Sequence, residues 1–286
     1  IGFKKTINNF LKEKIISNNM NFITKGKALR KKILETALNA GKGHVPPAFS
    51  WVEIGMALFY GKILNFNFKN KKFKRRDRFL LSKGHGCLTL YAILSDLNFF
   101  SKKELKSFAG DGSLLAGHPD ENIPGIEMSS GSLGHGLGVG CGMALSAKRN
   151  KEKWKTFVLL GDGECQEGSI WEALIFANKH KLNNLITLID RNKLGSTDFT
   201  EINAPLEPLK KKLISFGMEV YEIDGHNTLK LIKLLKKIYN SKKNKPKVII
   251  CNTVKGKGVS FMENSKYWHH QLPNKEQIKI ANKELS

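Results

Sequence analysis

A chain of 286 residues with 41% hydrophobic content is long enough to bury a substantial core, and no run approaches the roughly 18 consecutive apolar residues of a membrane-spanning helix. The formal net charge of +23 invites a nucleic-acid partner, but the cations are nearly all Lys, scattered through most segments, and only six are Arg: 30, 75, 76, 78, 149 and 191. Bidentate recognition of phosphates and base edges favours Arg, so the composition argues against a specific nucleic-acid partner and for anionic substrates or an acidic partner chain. Cys87, Cys141, Cys165 and Cys251 form no CxxC pair, which excludes a zinc knuckle or a dithiol motif and reads as reduced thiols of a cytoplasmic protein.

Residues 1–21 read as a basic extension without the apolar run of a signal peptide, and 22–286 as one domain. The segment 61–77 reads as a surface loop carrying a charge run. Phe79–Leu81 is a short apolar strand, followed by a helical CLTLYAILSDL. Ser101 with Glu104 three residues on is a capping-box pattern that opens a short helix. Phe157–Leu160 is a second strand, and GSIWEALIFANKH its helix. Leu185–Ile189 ends at Asp190-Arg191-Asn192. Val220–Ile223 precedes a helical TLKLIKLLKKIY, Lys247–Ile250 follows, and the end, NKEQIKIANKELS, is again helix-like. Gly195, Gly217 and Gly225 fall between the periodic segments, where turns are needed. Short buried strands alternating with helices predict an α/β fold, a mostly parallel twisted sheet flanked by helices.

The feature that carries chemistry follows the second strand: Gly161-Asp162-Gly163-Glu164, then Gln166-Glu167-Gly168. In parallel sheets, ligands bind beyond the carboxyl ends of strands. Glycines there let backbone N–H groups approach phosphate oxygens, and a following helix N-terminus favours the same negative charge. A carboxylate beside such a cradle makes sense when a cation lies between them. Mg²⁺ takes oxygen ligands and is commonly completed by phosphates. Asp162, the Asn192 amide just past the next strand, and a backbone carbonyl, that of Leu194, are the expected ligands.

A GDG turn followed about thirty residues later by Asn at the next strand end is the thiamine-diphosphate motif, and residues 161–196 match it throughout. Further blocks resemble the amino-terminal, diphosphate-binding domain of transketolase. They are Gly43-His44, Ser82-Lys83-Gly84-His85-Gly86, Gly117-His118-Pro119, Gly131-Ser132-Leu133-Gly134-His135-Gly136, Asp224-Gly225-His226, Thr253–Val259 and Tyr267-Trp268-His269. They keep the family's order over roughly residues 25–275.

The resemblance implies thiamine diphosphate and Mg²⁺ as cofactors. His85 and His269 would face the diphosphate and the reacting centre. Gly163 would give a backbone N–H to the diphosphate, with Gly131 and Glu164 also at the cofactor. The Leu133 carbonyl would receive the cofactor's 4′-amino group. His44 and His118 would bind sugar hydroxyls and shuttle protons. Glu167 resembles a dimer-interface carboxylate, or is a first-turn acid favoured by the helix dipole. His135 suits hydrogen bonding rather than proton transfer. His226 reads as a turn residue, Cys165 as packed beside the loop, and Trp171 as helix packing. His270 departs from the family, which usually has Gly after the His.

The implied activity is transfer of a two-carbon ketol unit from a ketose, free or phosphorylated, to an aldose. In full-length relatives an activating Glu lies in a second domain beyond this one. The expectation is therefore a separate subunit carrying that aminopyrimidine-binding domain, in an α₂β₂ assembly, with truncation of a longer chain as the rival explanation. The alternatives are an α-type subunit of a 2-oxoacid dehydrogenase, a deoxyxylulose-phosphate-synthase-like enzyme, and a non-catalytic scaffold that keeps the fold.

Overall fold

The computed structural model describes residues 20–66 and 75–286. Most of the expected basic extension, and the centre of the expected 61–77 loop, lie outside the described residues.

Helix α1 spans Phe22–Ala40. The Asn21 side chain accepts the Ile23 and Thr24 N–H groups at 3.0 and 3.2 Å, and Gly41 ends the helix in the left-handed region at φ +66°. Two short helices follow, α2 (Val45–Phe49) and α3 (Val52–Phe59). Strand β1 (Arg78–Leu81) runs through a 3₁₀ turn, Gly84–Gly86, into α4 (Cys87–Asp96). The short helix expected after Ser101 is the 3₁₀ helix Lys102–Ser107, with Ser101 Oγ accepting the Lys103 N–H at 3.2 Å. Next come α5 (His135–Arg149), β2 (Thr156–Gly161), the 3₁₀ turn Gly163–Gln166 and α6 (Gly168–Lys179). Strand β3 (Leu185–Arg191) precedes the short α7 (Thr200–Asn203) and α8 (Leu209–Ser215). Strand β4 (Glu219–Asp224), α9 (Thr228–Tyr239), β5 (Lys247–Asn252) and α10 (Lys275–Glu284) complete the order.

Among the described residues five strands pair, all parallel, in the order β1-β2-β3-β5-β4. Alternate residues of each central strand enter opposite cores, as the two-residue strand period requires. Phe157, Leu159, Ile186, Leu188 and Ile249 pack with α1, α3, α4 and α9. Val158, Leu160, Leu185, Ile189, Val248 and Ile250 pack with α5, α6 and α8. Burial on both faces explains why these strands read as unbroken apolar runs. Each fully buried Leu or Ile contributes roughly 1.5–3 kcal/mol, so truncating Leu159 or Ile249 to Ala would cost about 2–5 kcal/mol. At the edge, β4 is only partly buried and carries Glu219 and Glu222, charges that discourage pairing with another strand.

Candidate active site

A parallel sheet leaves the carboxyl ends of its strands on one edge, where their loops can converge on a ligand. Here β1 leads to Lys83-Gly84-His85, β2 to Asp162-Gly163-Glu164, β3 to Asn192–Gly195 and β5 to Thr253–Gly258. His44, at the N-terminus of α2, joins them.

The structure gathers the four expected catalytic histidines and adds a fifth. The His44 ring centroid lies 6.0 Å from those of His85 and His118, 5.3 Å from that of His269 and 4.5 Å from that of His270. His85 and His269 are 5.8 Å apart. His118 and His270 are exposed, and the other three are half-buried. Burial disfavours the imidazolium, and neighbouring positive charge adds to it. Burial, then His270, His118 and Lys255, hold His44 down at about 4. Burial, then Lys255 and His44, hold His269 at about 3. Burial with Lys83 pushes His85 well below its ordinary value, and burial lowers His118. These four rings are therefore neutral at pH 7.

Two buried lysines, each inside one of the sequence blocks but with no role expected of it, organise this corner. Lys255 Nζ donates to the Gly195 carbonyl at 2.7 Å and lies 2.8 Å from His269 Nδ1. Burial and the Lys83 charge lower its ammonium to about 8, so it remains mainly a donor at pH 7. An ammonium can only donate; His269 Nδ1 accepts, and its proton sits on Nε2. Lys83 Nζ donates to the Pro47 carbonyl at 3.1 Å and pairs with Asp190. Asp190, fully buried, also accepts from the Ser50 and Thr253 hydroxyls. These contacts tie the loops after β1, β3 and β5 to α2.

The expected metal ligands lie on adjoining loops. A Cβ on Gly163 would come 3.8 Å from the Gly195 Cα, so the two loops touch. Asp162 is 2% exposed, and burial and the Asp190 charge raise its carboxyl against the pull of Arg191. Its Oδ2 accepts from Arg191 at 3.1 Å and from the Lys193 N–H, while Asn192 Oδ1 accepts the Leu194 N–H at 3.1 Å. Among the described residues no group of three or more His, Cys, Asp or Glu side chains could hold a metal. A cation here would depend on one carboxylate, one amide and one carbonyl. That is a hard-oxygen set suited to Mg²⁺ and incomplete without ligand oxygens.

Three residues have partners within the protein that the sequence did not indicate. The Gly163 N–H, expected to meet a phosphate, donates to Asp162 Oδ1 at 2.8 Å. Glu164, expected at the cofactor, accepts from the Ser82 hydroxyl and from the Gly134 and Gly161 N–H groups, the latter two at 3.0 Å. Both its oxygens are thus engaged within the protein, and it joins the SKGHG, GSLGHG and GDG turns. His226 is more than a turn residue, because its ring bonds to Glu53 and to Val254.

The remaining residues fall near the cluster or frame it. A Cβ on Gly131 would lie 3.4 Å from His118 Cδ2, and one on Gly84 would lie 3.0 Å from the Gly131 nitrogen, so this turn packs backbone to backbone. Leu133 is half-buried in it, and His135 is exposed at the start of α5. Glu167 is exposed at the N-cap of α6. Trp171 packs on Phe216, with ring centroids 5.0 Å apart, and donates to the Cys165 carbonyl at 3.0 Å. Burial pushes all four thiols up, those of Cys87 and Cys141 to about 12, so none is a ready nucleophile.

Comparison with known proteins accords with this geometry. Residues 23–286 match the family model described as transketolase, thiamine diphosphate binding domain. The chain is 42% identical over 258 residues to an apulose-4-phosphate transketolase subunit of Phocaeicola vulgatus, covering 90% of this chain and 91% of that one. It is 37% identical over 258 residues to the 6-deoxy-6-sulfo-D-fructose transketolase subunit SqwG of a Clostridium species, covering 90% and 93%. The crystal structure of transketolase from Campylobacter jejuni superimposes with a TM-score of 0.85 at 30% identity. The match covers 93% of this chain but 43% of the Campylobacter enzyme, so the chain spans less than half of that protein.

Proposed function

Since the chain belongs to the transketolase thiamine-diphosphate-binding family, we propose that it binds thiamine diphosphate through Mg²⁺ and, with a second subunit, transfers a two-carbon ketol unit from a ketose to an aldose. The observation that carries the reading is a cluster of neutral imidazoles joined by Lys255 to the loop that follows Asn192 and Leu194. Bound thiamine diphosphate would supply the nucleophilic carbon and the electron sink. Asp162, Asn192 and the Leu194 carbonyl would hold the metal. His85 and His269 would face the reacting centre, with the His269 Nε2–H ready to donate to an oxygen gaining negative charge. His44 and the exposed His118 would bind sugar hydroxyls, each neutral ring offering one N–H donor and one lone-pair acceptor.

Relatives of this length that are themselves named as transketolase subunits support a second chain. That chain would bring the activating carboxylate and the clamp for the substrate's anionic end in an α₂β₂ assembly. The names of those relatives refer to a phosphorylated and a sulfonated ketose. A ketose with such a terminal anion suits a chain of net charge +23. The test is co-expression with the product of the adjacent open reading frame. Ketol transfer from a phosphorylated ketose is then followed with and without thiamine diphosphate and Mg²⁺. Turnover is expected only when both chains and both cofactors are present. Turnover by this chain alone would remove the partner from the proposal. Tight cofactor binding by the pair with no transfer to any aldose would remove the reaction.

A further inference from the structure

The turn after β4 places an imidazole where the proposed chemistry has no use for it, yet its ring makes two directional bonds across the fold. His226 Nδ1 lies 2.8 Å from Glu53 Oε2 on α3, and the Val254 N–H donates to Nε2 at 2.8 Å. A backbone N–H can only donate, so Nε2 is the acceptor. The neutral ring must then carry its proton on Nδ1 and give it to Glu53. Glu53 is fixed from its other side by Arg30, whose two terminal nitrogens donate to its oxygens at 2.7 and 2.8 Å. Burial alone would raise this carboxyl, but Arg30 and His226 outweigh it and hold it at about 2. The His226 ring is thus gripped at one end by a rigid ion pair between α1 and α3.

Its other end grips the residue before Lys255. That lysine meets both the Gly195 carbonyl and His269 Nδ1. The same loop has independent anchors. The Thr253 N–H donates to the Arg191 carbonyl at 3.0 Å and the Gly256 N–H to the Pro46 carbonyl at 3.1 Å. Losing the His226 bond would therefore shift the loop rather than release it. We propose that His226 is a positioning residue for the histidine centre: its Nε2 lone pair fixes the backbone at Val254 and so aims Lys255 at His269 and at the Gly195 carbonyl. The consequence for catalysis rests on the ketol-transfer reading, whereas the positioning itself does not.

The full chain labelled with ¹⁵N-histidine tests this by long-range proton–nitrogen correlation at about pH 7.5, with no cofactor or partner present. In the wild type, His226 is expected as the Nδ1–H tautomer and His269 as the Nε2–H tautomer. His226→Asn keeps a donor toward Glu53 but has no acceptor for Val254. It should leave His269 as a mixture of tautomers and speed exchange of the Val254 amide about tenfold, the equivalent of one buried hydrogen bond. His226→Gln, whose amide oxygen can reach the Nε2 position, should restore the single His269 tautomer. An Nε2-protonated His226 in the wild type overturns the proposal without recourse to any variant. An unchanged His269 spectrum and Val254 exchange rate in a folded His226→Asn protein overturns it equally. Because these readouts involve no turnover, their failure leaves the ketol-transfer reading standing, and failure of that reading leaves them interpretable.

Discussion

Five imidazoles share one corner of the molecule with two buried ammonium groups, Lys83 and Lys255. This surrounding makes acid stability a test of the site. His44 and His269 are held at about 4 and about 3 in the folded chain, against roughly 6.5 when unfolded. The folded state therefore resists protonation that the unfolded state accepts. Their stabilising contribution is complete above about pH 6.5 and is lost as pH falls toward 4 and then 3. We predict a melting temperature that drops across this window, and a shallower drop in a His44→Gln, His269→Gln double variant. A slope equal to that of the wild type would place the acid sensitivity elsewhere. Asp162→Asn keeps the shape of the buried carboxylate but removes its charge. It should weaken Mg²⁺-dependent binding of thiamine diphosphate by calorimetry at least about tenfold, in line with the cost of disturbing a metal's ligand shell. Affinity equal to the wild type would remove Asp162 from the ligand set. The sequence identified these residues because they sit in short recognisable blocks, Gly-containing at His44, His85, His118 and Asp162 and aromatic at His269. It passed over Lys255, Asp190 and Arg191, because a lysine in so basic a chain, or a charge at a strand end, has no pattern of its own until the fold brings its partner near.

Helix α5 shows why some elements escape a periodicity argument. Gly136, Gly138, Gly140 and Gly142 occupy its first half, and each Gly disfavours a helix by about 1 kcal/mol relative to Ala. Packing explains two of them. A Cβ on Gly136 would come 2.3 Å from Ser82 Oγ, and one on Gly140 would come 2.4 Å from Val158 Cγ2. The helix lies so close to β1 and β2 that only Gly fits, and that closeness sets the GSLGHG turn against Glu164. Gly138 and Gly142 would meet nothing within 4 Å. Substitution should therefore split by position along one helix. Gly140→Ala should destabilise the chain by about 1–3 kcal/mol through overpacking. Gly138→Ala should stabilise the isolated chain by about 0.5–1 kcal/mol through helix propensity and reduced unfolded-state entropy. Urea denaturation checks both, and equal effects at the two positions would contradict the packing account. The strands were easier to read, because burial on both faces left their apolar runs unbroken. Ser101 caps the short helix expected there by accepting the Lys103 N–H, and that helix is 3₁₀.

At the scale of the whole molecule, the α/β class follows from alternating strands and helices, but strand order does not. β5, last in the chain, inserts between β3 and β4. Its register sets Asn252 beside both Arg191 and Asp224. That insertion carries the 253–258 loop between the Asn192 turn and the His226 turn. It creates the contacts of Lys255 and His226, and no local pattern announces it, since long-range crossovers are chosen by how the layers pack. Charge is the other whole-chain property. A net +23 on 286 residues raises long-range attraction for anions and acidic surfaces, an effect that acts on encounter rates and fades over a Debye length of about 8 Å at physiological salt. If the second subunit presents an acidic face, its association rate with this chain should fall at least about tenfold between low salt and roughly 0.3 M salt, while the dissociation rate changes little. Stopped-flow mixing of the purified subunits separates the two rates. An association rate independent of salt would show that the positive charge takes no part in assembly. It would then direct the charge argument to the substrate, where the Michaelis constant for a phosphorylated ketose should rise with salt and that for its unphosphorylated counterpart should not.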